Sequence, residues 1–331
     1  MASNELGSAN ANAAAAAVPE LSVVVPIFNE GAVLPELLQR LAAALATTAP
    51  DYELVLVDDG SVDESPAILL GAAERDSRLR VLRFSRNFGH QAAVTAGIEH
   101  ARGRAVVVID ADLQDPPEVI PELVAAWRQG YEVVSAVRTE RPGESALRLL
   151  LIRTFYRVLK RIASVDMTPD AGDFRLLDRR VADALNRLPE RNRYVRGLVR
   201  WLGFRHVEVR YKRAERFAGE TKYPYAKLVR LALDGVTAFS NLPLQLVTWM
   251  GFAVFGLSLL LVVYGLLGRL FGGQTPAGWT SVFVAVAFLS GVQLVALGIL
   301  GAYVSRIFEE VKGRPLYVIA FDSARARAPR P

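Results

Sequence analysis

The stretch Ile109 to Glu118, IDADLQDPPE, sets two carboxylates, Asp110 and Asp112, at the end of a run of branched aliphatic residues, just before a bend forced by Pro116 and Pro117. Oxygen ligands of this kind suit Mg²⁺ or Mn²⁺, which bind through one or two carboxylates together with substrate phosphates. By itself an Asp-x-Asp pair is a weak signal, and an acidic residue ahead of a helix often only caps it, as Asp115 is placed to do. A second acidic pair, Asp58-Asp59, stands in VDDGSVDES. There Gly60 suits a tight turn and Ser61 or Asp63 a helix cap. Adjacent carboxylates are harder to explain as architecture, because they repel unless a cation or hydrogen-bond donors lie between them. Neither G-x-G-x-x-G after the first strand nor G-x-x-x-x-G-K-[ST] anywhere occurs, so phosphates fall to metal and side chains rather than to a dinucleotide or P-loop cradle.

These residues need a frame, and the chain from Leu21 onward supplies one. LSVVVPIF, YELVLVDD, LRVLRFS, RAVVVIDAD and YEVVSAVR are rich in Val, Ile and Leu and are separated by helical patterns of about a dozen residues. That alternation predicts an α/β domain with a parallel sheet covered on both faces. Ligands of such sheets bind beyond the carboxyl ends of the strands. The polar residues cluster there: Asn29 and Glu30, Asp58 and Asp59, Asn87, Asp110 and Asp112, and Arg138 after the fifth strand.

Composition adds a membrane. Counting glycine and leaving out tyrosine, about 57% of the residues are apolar, against roughly 45–50% in soluble domains. With no cysteine there is no disulfide scaffold, zinc-thiolate site or thiol nucleophile, and three histidines make a histidine metal cluster improbable. Residues 1–140 carry 10 basic and 20 acidic side chains, residues 141–331 carry 29 and 14. A basic, apolar second half points to anionic lipid and phosphate rather than nucleic acid. Leu244 to Leu267 and Ser281 to Val304, each about 24 residues without a charge, are long enough to cross a bilayer. Arg306, Lys312, Arg314, Arg325, Arg327 and Arg330 follow the second span and the chain before the first is basic too, which predicts both ends in the cytoplasm. Arg269 is the exception and can snorkel. Leu147, Leu151, Phe155, Val158 and Ile162 against Arg153, Arg157, Lys160 and Arg161 predict a helix lying on the membrane surface, with an ordinary amphipathic helix on the sheet domain as the alternative.

VPIFNE, VDDGSVDES, NFGHQAAVTAG, DADLQDPPE, AGDFRLLDRR and RFAGETKYPYAKL, in that order ahead of two C-terminal spans, resemble the polyprenyl-phosphate glycosyltransferases of inverting GT-A family 2. The resemblance covers roughly Leu21 to Tyr317. GDFRL and LPERNR-x-x-RGLVRW are more similar to the glucosyl branch than to the mannosyl or aminoarabinose branches. It implies a Rossmann-like GT-A domain over residues 20–240, including interfacial helices at about 145–163 and 223–240. A disordered leader (1–19), a two-helix transmembrane region (241–306) and a cytoplasmic tail (307–331) complete the expected layout.

The resemblance also implies roles. Pro26, Phe28, Glu30, Asp58 and Asp59 would hold the base and ribose of a nucleotide sugar, UDP-glucose favoured. Asp110 and Asp112, with Gln114, would approach the Mg²⁺ or Mn²⁺ and the diphosphate. Phe28 replaces a tyrosine frequent in the family, losing a hydroxyl but keeping a stacking ring, and Thr221 replaces a common serine. Arg216 and Lys222 lie in a segment that is a mobile loop in family members and, with Arg138, are the phosphate candidates. Asp173 would stand beside the acceptor. A phosphate monoester with a second pKa near 6 needs little help to ionise, so Asp173 is either a base or an orienting group. The implied setting is the bacterial plasma membrane, with polyprenyl phosphate as acceptor, catalysis on the cytoplasmic side, and a homo-oligomer neither required nor excluded. Three alternatives remain: another donor (GDP-mannose, UDP-GlcNAc, UDP-aminoarabinose), a processive polysaccharide synthase, or an inactive membrane adaptor. The synthase lacks support because the Q-x-x-R-W place reads Gly197-Leu198-Val199-Arg200-Trp201.

Overall fold

The five predicted strands form where expected: β1 (Leu21–Ile27), β2 (Tyr52–Asp58), β3 (Leu79–Phe84), β4 (Ala105–Val108) and β5 (Val133–Arg138). The structure, a computed structural model, describes residues 18–138, 171–191, 193–212, 242–270 and 278–327. Three further strands complete one eight-stranded sheet, β6 (Ala171–Asp178), β7 (His206–Tyr211) and β8 (Ile319–Asp322), in the order β7-β5-β6-β4-β1-β2-β3-β8. The sheet is mostly parallel, as expected, with two strands reversed. β6 runs antiparallel between β4 and β5, and β8 runs antiparallel along β3. β6 therefore begins at the edge where its parallel neighbours end.

Helices cover both faces. On one lie α1 (Leu34–Thr48), α2 (Ser65–Arg75) and α4 (Ile120–Arg128). In α1 the leucines at 34, 37, 41 and 45 recur at helical spacing and are fully buried against Val23, Val25, Leu54 and Leu56. Pro35 opens α1 at a position where its missing N–H costs nothing. The other face carries α3 (His90–His100) and α5 (Arg179–Asn186), which pack together. Gly97 lets α3 approach β1 closely, since a Cβ there would lie 2.0 Å from Val24 Cγ1. A short helix, α6 (Val195–Trp201), precedes β7.

A separate unit contains α7 (Leu242–Leu270) and α8 (Trp279–Val311), packed against each other. Each extends one of the two apolar segments found in the sequence. Among the described residues, Phe288–Val311 is long and apolar enough to cross a membrane by length and composition. Trp249, Phe252, Leu260 and Tyr264 on α7 and Phe288, Leu294 and Leu297 on α8 are exposed. The predicted surface helix at 145–163, the segment 223–240, the connector around Gln274 and residues 1–17 of the leader lie outside the described residues. The predicted tail, 307–331, does not simply trail: its middle forms β8 and α9 (Ser323–Arg327) within the sheet unit.

Candidate active site

Register assembles the site. β1 and β2 pair in parallel so that Ile27 sits beside Asp58, and β1 and β4 pair so that Val24 sits beside Val108. Phe28, Asp59 and Asp110 thus leave the sheet along one edge. β4 and β6 pair antiparallel with Val108 opposite Arg175; continued two residues, that register brings Asp173 across from Asp110. The Asp-x-Asp and GDFRL motifs, sixty residues apart in the chain, meet because β6 runs backwards.

Asp173 is the most heavily engaged of these acids. Arg196 donates to both its oxygens, Nε to Oδ1 at 2.8 Å and Nη2 to Oδ2 at 2.9 Å. His90 Nε2 lies 3.1 Å from Oδ2 and Gln91 Nε2 3.5 Å from it. The buried Arg175 guanidinium stands 3.7 Å from Oδ1 and donates to Gly172 O at 2.7 Å. Burial alone would raise the Asp173 pKa, but the hydrogen bonds from His90 and Arg196 hold it far below the ordinary carboxylate range. Burial lowers the affinity of His90 for a proton, yet its bond to Asp173 and the charge of Asp110 leave its pKa above the usual value.

Asp110 contrasts with it. Its Oδ1 is buried without a hydrogen-bond partner, 3.7 Å from His90 Nε2. Burial, reinforced by the neighbouring acids Asp173, Asp115 and Asp112, pushes its pKa up to about 6. Asp112 is half-buried and its Oδ1 accepts the Gln114 amide at 3.1 Å, while Leu113 between them adopts φ +57°. Asn29 in VPIFNE has φ +56°, and among the described residues only these two non-glycine residues lie in that region. Such strain persists where the surroundings over-determine it, typically at functional sites. Among the described residues no group of three or more His, Cys or acidic side chains stands ready to hold a metal.

VPIFNE and VDDGSVDES are zipped together. The amides of Asn29, Glu30 and Gly31 donate to Ser61 Oγ, Ser65 Oγ and Asp63 Oδ2 at 3.0, 3.0 and 2.9 Å, and Asn29 Oδ1 accepts the Val62 amide at 2.9 Å. This leaves the Phe28 ring 45% exposed beside buried Pro26. Hydrogen-bond donors and the Arg83 guanidinium offset the adjacent pair. Asp58 accepts the Ser61 amide at 2.8 Å and faces Arg83 Nε at 3.2 Å; Asp59 accepts the amides of Phe88 and Gly89 at 2.7 and 2.9 Å. Burial raises the Asp59 pKa in spite of those amides.

One sequence reading changes. Asp115 does not cap the following helix: it is fully buried, bonded to Tyr211 Oη and to Arg138 Nη2 at 3.2 Å. Arg138, expected as a phosphate ligand, places Nε on Tyr211 Oη at 3.1 Å and so joins the same cluster. Arg216 and Lys222 lie outside the described residues. His90, Gln91, Arg175 and Arg196 were not singled out by the sequence reading, although all stand in the motifs NFGHQ, GDFRL and RGLVRW.

An open α/β sheet with acids from several strands converging on one edge defines an enzyme that takes its ligand beyond the strand ends. The family model Glycosyl transferase family 2 matches residues 22–185. The chain is 47% identical over 300 residues to the uncharacterized glycosyltransferase YkcC of Bacillus subtilis (strain 168), covering 91% of this chain and 93% of that one. It is 39% identical over 300 residues to the SfII prophage-derived bactoprenol glucosyl transferase of Shigella flexneri, covering 91% and 97%. A solved glucosyl-3-phosphoglycerate synthase from Mycobacterium tuberculosis aligns with a TM-score of 0.45 and 20% identity over 66% of this chain and 79% of that one. The chain belongs to glycosyl transferase family 2 and is a glycosyltransferase.

Proposed function

We propose that the chain transfers glucose from UDP-glucose to undecaprenyl phosphate or a similar polyprenyl phosphate, with inversion, to give a β-linked lipid-phosphate sugar on the cytoplasmic leaflet of a bacterial plasma membrane. The observation that carries the reading is the 39% identity to a bactoprenol glucosyl transferase over 97% of that protein's length. The exposed apolar faces of α7 and α8 support two membrane crossings.

In this reading a phosphate oxygen of the acceptor attacks the anomeric carbon as the bond to the nucleoside diphosphate breaks. The attacking phosphate is mostly ionised at neutral pH, so no base is required. Asp173, clamped by Arg196 and His90, orients the acceptor side. Phe28 offers its exposed face to the base, and Asp59 with Glu30 lies at the ribose side. Asp110 and Asp112 fit a divalent cation, since Asp110 carries an unpartnered buried oxygen and two carboxylates are what Mg²⁺ or Mn²⁺ takes from protein. Gln114 would flank it. When bound, the ion supplies electrostatic stabilisation to the departing diphosphate. Arg216 and Lys222 supply donors to the phosphates.

The test is purified protein with undecaprenyl phosphate and a panel of labelled UDP- and GDP-sugars. A β-linked glucosyl lipid from UDP-glucose is expected. Transfer only from another sugar overturns the donor, an α-linked product overturns the inversion, and no transfer from any donor overturns the reading.

A further inference from the structure

The segment that follows α8 returns to the sheet and packs beside the turn that holds Asp59. β8 pairs antiparallel with β3, Leu82 opposite Asp322 and Arg83 opposite Phe321, with an irregularity at Phe84 opposite Ile319. Its approach is fixed by the Ser85 amide donating to Val318 O at 3.0 Å, and its exit by the Val81 amide donating to Ser323 Oγ at 2.9 Å. Arg80 locks the strand through two hydrogen bonds to Asp322, at 3.2 and 2.8 Å.

Just before β8, Tyr317 lies flat on Phe84, centroids 5.0 Å apart and planes 12° apart, and its hydroxyl donates to Glu99 Oε2 at 2.5 Å. Phe84 in turn meets the edge of Phe88 at 5.7 Å and 89°, and Arg86 covers the Phe88 ring at 3.9 Å. The Phe88 and Gly89 amides are the ones that grip Asp59, and His90 is the next residue. A continuous line of ring contacts therefore runs from the tail to the backbone that holds Asp59 and leads into His90. Aromatic pairs of this geometry contribute beyond their buried area.

We propose that Tyr317 is a positioning residue for the donor half of the site: its ring braces Phe84 and Phe88 and so fixes the Phe88-Gly89 amides on Asp59. The word donor rests on the proposed nucleotide-sugar reaction; the bracing itself does not. The β8 ladder delivers the ring to Phe84, and the bond to Glu99 satisfies its hydroxyl. Tyr317 touches no substrate in this scheme. Its influence is on how tightly the 84–90 turn is held.

The test compares full-length Tyr317→Ala, Tyr317→Phe and, as a stability control on the opposite face of the sheet, Leu45→Ala. Hydrogen exchange of the peptide spanning Phe84–His90 is followed together with the KM for UDP-glucose. Tyr317→Ala should accelerate exchange of the Phe88 and Gly89 amides about tenfold, the scale of a lost aromatic pair. The KM should rise about as much, with kcat changed less than about twofold, as expected when only ground-state binding is lost. Tyr317→Phe should restore both, because it keeps the stack. Exchange in Tyr317→Ala equal to the parent overturns the proposal, as does equal acceleration in Leu45→Ala, which would mark general destabilisation. If the parent uses no nucleotide sugar, the proposed function falls, while the exchange comparison still decides whether Tyr317 braces the turn.

Discussion

Arg196 grips Asp173 through two nearly parallel hydrogen bonds, 2.8 and 2.9 Å long, on a carboxylate that is almost fully buried. Bidentate guanidinium pairing fixes orientation as well as charge. Together with His90, that grip holds the Asp173 pKa far below the ordinary carboxylate range.

The first prediction follows. Because the folded pKa of Asp173 lies far below its ordinary value of 3.8, it does not titrate between pH 5 and 9. Asp173→Asn should lower kcat/KM yet leave the shape of the pH–rate profile over that range unchanged. Disappearance of an ionisation in the variant would identify Asp173 as the base. Arg196→Ala, which strands a buried charge, should cost about 3 kcal/mol of stability, read by denaturant unfolding.

Asp110 and Asp112 would face a diphosphate as uncompensated like charges without a cation. Asp112→Asn should reduce turnover by about two orders of magnitude, the loss typical of a transition-state electrostatic contact. EDTA should abolish activity and Mg²⁺ or Mn²⁺ restore it. Full activity in EDTA would refute the metal site.

Gly60 joins the two acidic loops to the 84–90 turn. Its φ is +73°, and a Cβ would lie 2.5 Å from Arg86 C and 2.7 Å from Asn87 N. Both obstacles are backbone and cannot swing aside. Gly60→Ala should destabilise the protein by about 2 kcal/mol or more and weaken nucleotide binding, as measured by thermal unfolding and calorimetry. A neutral substitution would contradict the packing.

The β8 lock has a defined pH dependence. Burial opposes the charge on Asp322, but the bonds from Arg80 lower its pKa below the ordinary 3.8. A depressed folded pKa means the stabilisation is complete above the unfolded value and lost as pH falls through the folded one. The protection factors of the 319–322 amides, measured by mass spectrometry and corrected for intrinsic exchange, should therefore fall below about pH 4, and Asp322→Asn should flatten that dependence. An unaltered profile in the variant would remove the pair from the account.

Arg216 and Lys222 carry the acceptor-side expectation. Reversing both to Glu should abolish transfer while UDP-sugar binding survives in part, because the base and ribose contacts belong to the first half of the chain. Unchanged transfer would place the phosphate elsewhere. A cysteine at Gln274, introduced separately, should label from the periplasmic side if α7 and α8 both cross the membrane.

Much of this was legible in the residues themselves. Alternation of branched apolar runs with helical periods set β1 to β5 and the covering helices, because burial on both faces of a strand demands such runs. It also put Asp58, Asp59 and Asp110 at strand ends. Local chemistry told less about β6 and β8. The strand Ala171–Asp178 carries Asp173 and Arg175 in its interior, and the groups that make the buried carboxylate tolerable, Arg196 and His90 together with Arg175, are brought to it only by the fold. Strand direction is equally silent in sequence, yet it alone brings Asp173 level with Asp110. The setting of Asp115 was hidden for the same reason: composition marks a side chain as able to cap a helix or bond phosphate or metal, but which partners engage it, as Tyr211 engages Asp115, Ser61 Asp58 and the Phe88 amide Asp59, depends on neighbours distant in the chain. Spacing determined which chemistry was available; the tertiary fold decided which groups were left to perform it.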